Sequence, residues 1–293
     1  MAQNPHMKRI VVDANVYLGI YGMSQPIESI GAVVSVQNEV FVPEQVRLEF
    51  VRNSVKTAAA AFAGMEKRGE SEPLGGCVHL LCTTDSELTS GMLDQDYIRA
   101  EHCERIGRAV ATTLEAVVRG EDVVTLGLSP LFQRAKEASP LEISSARQRK
   151  EAGHPPGKVK NPLGDELVWE QFLTLVKEQA RRFPEPRAYW LITSDKDYFT
   201  KHGGRTFLNA ALFEEFETAD DRAEIRVFDS LLEGLKDFRD RAGVAVDFKM
   251  DEGQLKGALR KDQELRTREL EHIMEELEDL REELDNRQRQ LSD

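Results

Sequence analysis

The chain has 293 residues, 40% of them hydrophobic and 31% charged, which is enough for one large domain or two modest ones around a sizeable core. No apolar run approaches the ~20 residues of a membrane-spanning helix, so no membrane partner is expected. The net charge of −13 has the wrong sign for binding nucleic acid through bulk charge, so any such contact must be local.

The opening "MAQNPHMKRI" lacks the apolar core of a signal peptide, and a cytoplasmic location is the expectation. "KRIVVD" (8–13) predicts a short buried strand ending in aspartate, and "ANVYLGIYG" turns away from it into a helix or loop. "EVFVPEQVRLEF" combines a second strand with a helix, with Pro43 where a helix start tolerates it. Residues 54–120 are rich in Ala, Glu and Arg at helical spacing and read as a helical insertion. The three cysteines, Cys77, Cys82 and Cys103, complete neither a disulfide framework nor a zinc site and read as reduced thiols.

The stretch 147–160, "RQRKEAGHPPGKVK", reads as a basic loop with five Lys/Arg against one Glu, and Arg147, Arg149, Lys150, Lys158 and Lys160 are expected to grip a nucleic-acid backbone. A helix follows over Gly164–Ala180, its apolar face formed by Val168, Trp169, Phe172, Val176 and Ala180. "AYWLITSD" (188–195) predicts another strand with an acidic end, and "AEIRVFD" (223–229) a further strand leading into a helix over 229–240. Strands alternating with helices predict a parallel sheet covered on both faces, within one domain over residues 7–245.

The end of the chain is different. Leu270, Ile273, Leu277, Leu280, Leu284 and Leu291 fall on heptad positions, with Arg287 at the one that breaks the pattern. Fourteen Asp/Glu against eight Lys/Arg over 251–293 account for six of the thirteen net negative charges. Residues 253–293 therefore read as a coiled coil or docking helix, through which a homodimer or a protein partner is expected.

Four carboxylates stand at element ends or break an apolar pattern: Asp13, Glu49, Asp165 and Asp195, with Asp197 close by. In a parallel α/β sheet, strand carboxyl ends and helix amino ends share an edge, which brings Asp13, Asp165 and Asp195 together. Crowded carboxylates raise one another's pKa, and a hard cation such as Mg²⁺ or Mn²⁺ relieves the repulsion. Each residue also has a plainer reading alone. Asp165 serves equally as an N-cap, Asp195 as a turn residue and Glu49 as a solvated helix residue.

In this order, the segments "IVVDANV", "FVPEQVRLEF", "NPLGDELVWEQFL" and "LITSDKDYF" resemble a PIN domain. "GHPPGK" ahead of the Gly-Asp and "LNAALFEEF" after the last aspartates resemble, more narrowly, a larger PIN-like group with a PPGK loop. The likeness covers about residues 7–240. It implies a three-layer α/β/α, Rossmann-like fold and a metal-dependent nuclease, an endoribonuclease on single-stranded RNA before a DNA-cleaving enzyme. It implies Asp13, Glu49, Asp165 and Asp195 as the acids, Asp197 as a further metal ligand, Mg²⁺ or Mn²⁺ as cofactor, and Asn15 and Thr193 as supports. Ala14 departs from the family's usual Thr, at a position that is no ligand. Two rivals belong to other classes: a non-catalytic PIN-like platform acting through its coiled coil, and a metal-dependent phosphatase. The second is weakened because the first strand ends Asp13-Ala14-Asn15 rather than Asp-x-Asp.

Overall fold

A computed structural model describes residues 7–23, 25–67, 80, 81, 84, 100–157, 163–249, 253 and 254. The chain forms two compact units, Met1–Met250 and Asp251–Asp293. The expected coiled coil falls in the second and, apart from Gly253 and Gln254, lies outside the described residues.

The first unit is built on strands β1 (Met7–Val12), β2 (Val40–Phe41), β3 (Arg187–Ile192) and β6 (Ala223–Phe228), parallel throughout and in the order β2-β1-β3-β6. Every residue of β3 is buried, as its unbroken apolar run AYWLI requires of a strand with neighbours on both sides and helices on both faces. Alternation along the strands sorts the side chains. Val11, Tyr189, Leu191 and Val227 share a core with Trp169, Phe172 and Val176 of a long helix, α7 (Asp165–Arg182), and with Leu212 and Phe216 of α8 (Ala210–Ala219). On the opposite face Trp190 meets Phe238 of α9 (Leu231–Ala242) edge-on at 4.9 Å. Gly234 of α9 lies so close to the sheet that a Cβ there would come within 2.6 Å of Ile192. Helices on both faces make the three-layer α/β/α arrangement that the alternation of elements predicts.

Further α-helices among the described residues include α1 (Ala14–Gly19), α2 (Pro26–Ser35), α3 (Glu44–Lys67), α4 (Ala100–Arg119), α5 (Val123–Phe132) and α6 (Pro140–Ala152). The expected insertion has no boundary at residue 54. The helix that begins at Glu44 runs on to Lys67, because Ala58–Ala61 favour helix and no Gly or Pro intervenes before Gly64.

Two elements differ from the expectation. The first half of the supposed basic loop is helical: Ser139 and Glu142 form a capping box, Pro140 takes the first turn, and Gly153 ends α6 with φ +67°. Arg149 and Lys150 occupy its last turn, where the helix dipole favours cations. Residues 199–208 form an antiparallel hairpin, β4 (Phe199–His202) and β5 (Arg205–Leu208). Gly203 and Gly204 make its two-residue turn at φ +58° and +74°, the conformation of a type I′ hairpin.

Candidate active site

The sheet order fixes where a site can form. From β1 the chain passes to β2 on one side, then returns to β3 on the other, so the connections diverge beyond the carboxyl ends of β1 and β3. A crevice opens at such a switch point. Asp13 directly follows β1, and Thr193 and Asp195 follow β3.

Strand register locks this corner. The Asp13 N–H donates to the Ile192 carbonyl at 2.9 Å, and the Thr193 N–H to that of Phe228 at 2.9 Å. The fully buried Thr193 hydroxyl then donates to Asp13 Oδ2 at 2.9 Å and accepts from the Asp195 N–H at 3.1 Å. One hydroxyl thus ties the ends of two strands together. Asp13 is also the N-cap residue of α1, yet its side chain makes no capping bond there.

Asp165 is the first residue of α7 and not its N-cap. Gly164 takes that position with φ −136° and ψ −73°, and offers no side chain, so the N-cap reading of Asp165 is overturned. Behind it, the hydroxyl of the buried Tyr198 donates to the Asp165 carbonyl at 3.0 Å, tying the start of α7 to the turn after β3. Glu49 comes from α3, half-buried one position before the fully buried Phe50.

The charges of these acids act on one another. Asp13 is pushed up to about 6, first by burial and then by Glu49 and Asp195, against the Thr193 hydrogen bond that lowers it. Asp165 is pushed up to about 7 by burial and then by Asp13, Asp195, Glu49 and Glu166. Glu49 is raised by burial and by Asp195, with Arg52 opposing. Asp195 takes part in every one of these interactions and Asp197 in none. Asp197 instead donates its N–H to Asp195 Oδ1 at 2.9 Å. Between the two aspartates of the Asp-x-Asp, the structure therefore groups Asp195 with the other acids. Asn15 is exposed two residues after Asp13. Among the described residues, no three His, Cys, Asp or Glu side chains are drawn together closely enough to hold a metal ion as they stand.

Two neighbours escaped sequence reasoning. Glu166 is 2% exposed and receives Lys150 Nζ at 3.3 Å and the Gly164 N–H at 3.3 Å. Gly157, at φ +116°, presses against it so closely that a Cβ would meet its Oε1 at 2.4 Å. The PPG turn is thus seated on a carboxylate beside Asp165, and only glycine fits there. The signal for Glu166 was an acid placed among apolar residues directly after Asp165. Tyr198 stood inside the "DKDYF" segment and gave no sign of its bond to α7.

The basic residues separate. Arg149 is 8% exposed and bridges Glu170 at 2.7 Å and Glu215, with the Pro155 carbonyl accepting as well. This corrects the expectation that Arg149 faces a nucleic-acid backbone: its guanidinium joins α6, α7 and α8 from within. Lys150 is half-buried over Glu166, and Arg147 is exposed. Lys158 and Lys160 lie outside the described residues. No helix among the described residues is long and apolar enough to cross a membrane.

No protein-family model, curated protein or solved structure matches this chain.

Proposed function

We propose that the protein is a divalent-metal-dependent nuclease that hydrolyses phosphodiester bonds, with single-stranded RNA as its substrate. One observation carries the reading: carboxylates from four separated segments, Asp13, Glu49, Asp165 and Asp195, act on one another at the switch point of the sheet, where burial first and their mutual repulsion second raise Asp13 to about 6 and Asp165 to about 7. A structural role does not call for such an arrangement, since mutual repulsion and burial both act against the fold.

The donor set suits a hard cation by its chemistry, being all carboxylate and partly buried. Asp13, Asp165 and Asp195 would hold one or two Mg²⁺ or Mn²⁺ ions, with Glu49 as a ligand or as the group that orients water. Because no three acids are closed up as they stand, binding requires their side chains to draw in. A cation bound there would supply Lewis acidity toward a phosphodiester oxygen and lower the pKa of water.

The chain's own residues supply the rest. Thr193 holds the Asp13 carboxylate and the backbone of Asp195 in fixed relation. Glu49, whose pKa is raised by burial, is suited to accept a proton from an attacking water. Tyr198 keeps the first turn of α7 against the strand ends, and the positive end of that helix favours a phosphate beside Asp165. Arg147 on α6 offers a backbone contact that fixes register without reading sequence.

The test is incubation of end-labelled single- and double-stranded RNA and DNA with the full chain in Mg²⁺, Mn²⁺ or EDTA. Cleavage of single-stranded RNA is expected with either metal, none in EDTA, and none by Asp165→Asn. Failure of the folded protein to cut any of the four substrates in either metal, or undiminished cutting by Asp165→Asn, would sink the proposal. Cutting of DNA in preference to RNA would keep the chemistry and change the substrate.

A further inference from the structure

A groove of about 550 Å³ runs between the β4–β5 hairpin and the edge strand β6. Its walls include Arg205, Phe207 and Phe213, and its floor Ile225 and Val227. Resting on the nuclease reading above, we propose that this groove is a stacking subsite for a base of single-stranded nucleic acid, with Phe207 and Phe213 as the platform and Arg205 beside the backbone.

Four observations lead there. Phe207 is 47% exposed and Phe213 43%, two aromatic rings left in water on the walls of one groove. Exposed aromatics flanked by cations are how single strands are held without regard to sequence, because every base has a π-face. The Arg205 guanidinium stands 5.5 Å from the centre of the Phe207 ring, and no carboxylate among the described residues pairs with it. The hairpin 199–208 carries Lys201, His202 and Arg205 and no Asp or Glu, in a chain of net charge −13.

The fourth is continuity with the acids. The floor strand ends at Phe228, whose carbonyl accepts from the Thr193 N–H at 2.9 Å, and Thr193 is the residue that holds Asp13. The groove therefore runs along the outer side of β6 and reaches the carboxyl edge of the sheet at Phe228 and Asp229. A strand lying along that edge, with its scissile phosphate near Asp13 and Asp165, meets the hairpin a few nucleotides away.

The charges inside the groove also say which part of the strand enters. Glu233 and Asp229, the latter already paired with Lys201, line the groove beyond Phe228, which leaves no free cation among the described residues for a phosphate there and suits a neutral base with amino donors. Lys201 is 2.7 Å from Asp229, and Arg226 is held by Asp237, so Arg205 is the cation left for the backbone. A peptide added to the edge of β6 fits less well. The Thr206 hydroxyl already donates to the Val227 carbonyl, taking one of the acceptors a new strand would need.

The experiment is fluorescence anisotropy of the full chain in EDTA with a labelled single-stranded RNA of a dozen nucleotides, across a range of salt. Phe207→Ala is expected to weaken binding about 5- to 100-fold with an unchanged salt slope, Phe207→Trp to keep it, and Arg205→Ala to lower the slope by about one. The same strand made abasic at each single position in turn should lose the Phe207 dependence at one position. Melting curves establish that each variant is folded, as exposed residues allow. Wild-type affinity in both Phe207→Ala and Phe213→Ala, or a Phe207 effect that persists with every base in turn removed, overturns the subsite while leaving the nuclease reading intact. Absence of any RNA binding or cleavage by the wild type overturns both together.

Discussion

Thr193 is a small residue with a large share in the geometry. Its hydroxyl bonds Asp13 Oδ2 at 2.9 Å and the Asp195 N–H at 3.1 Å from a site with no solvent exposure. Thr193→Val keeps the shape and removes both bonds. The expected loss of stability is about 1–3 kcal/mol, since buried groups are left without partners. Because that hydrogen bond also lowers the Asp13 pKa, the variant should titrate Asp13 above its value of about 6, measurable by carboxyl NMR. An unchanged Asp13 titration would mean that the hydroxyl does not govern this carboxylate.

The acids give the metal-free protein a pH dependence of definite sign. Asp13 and Asp165 rise from an ordinary 3.8 to about 6 and about 7, so the folded state holds their protons more tightly than the unfolded chain. Their contribution favours the fold in full below about 4 and is lost as pH rises through 6 and 7. In EDTA, the wild type should therefore lose more stability between pH 5 and pH 8 than Asp165→Asn does. At pH 8 that variant should be the more stable by about 1–2 kcal/mol, discounted for its half-exposed position. Mn²⁺ should raise the wild-type melting temperature at pH 8 and leave the variant nearly unmoved. A wild type and variant with parallel pH profiles in EDTA would refute the mutual repulsion.

At the scale of elements, α6 holds two arginines that do opposite things. Arg147 is exposed and Arg149 is buried against Glu170, Glu215 and the Pro155 carbonyl. Arg149→Ala strands two carboxylates and should cost about 3–5 kcal/mol in urea unfolding. Arg147→Ala should leave stability within about 0.5 kcal/mol and reduce the salt slope of RNA binding by about one. If Arg149→Ala instead unfolds like the wild type and weakens RNA binding, Arg149 faces the nucleic acid and does not join the helices from within. The contrast could not be read from "RQRKEAGHPPGK", because which side of a helix faces the protein depends on where α7 and α8 lie. The capping box of α6 is nonetheless legible in "SPLE", since Ser139 and Glu142 stand at the spacing that starts a helix.

Gly157 belongs to the same scale. Its φ of +116° and the 2.4 Å approach that a Cβ would make to Glu166 leave no room for another residue. Gly157→Ala should displace the PPG turn from Glu166, with a loss of about 1–3 kcal/mol in thermal unfolding. Wild-type stability in this variant would mean that the turn does not rest on Glu166.

For the whole molecule, oligomeric state is expected to depend on the segment beyond Met250. Its heptad residues Leu270, Ile273, Leu277, Leu280 and Leu284 would leave an apolar stripe in water on a lone helix, which at this length is only marginally stable. The expected state is a homodimer of the full chain and a monomer of a chain ending at Met250, distinguished by light scattering. The shorter chain should keep its melting temperature, since the first unit carries its own sheet and core. Monomers of both at tens of micromolar would exclude pairing through this segment. Loss of the melting transition on truncation would make the segment part of the first unit's core.

By itself the sequence determined the periodic features of the chain. The apolar runs of β1 and β3 marked buried parallel strands, the spacing of Val168, Trp169, Phe172 and Val176 marked α7, and the acids at element ends marked where chemistry could gather. These are local signals, set by side-chain alternation and helical repeat, and they survive without knowledge of neighbours. Only the tertiary structure decided the rest. It set Asp195 rather than Asp197 among the other acids, put Gly164 in place of Asp165 as the cap of α7, and brought Glu166 and Tyr198 to the site. It also turned Arg149 inward and laid the β4–β5 hairpin beside β6. Each of these depends on which segments of a 293-residue chain come within a few ångströms of one another. Strand order and burial fix that proximity, and with it the raised pKa values of Asp13, Asp165 and Glu49.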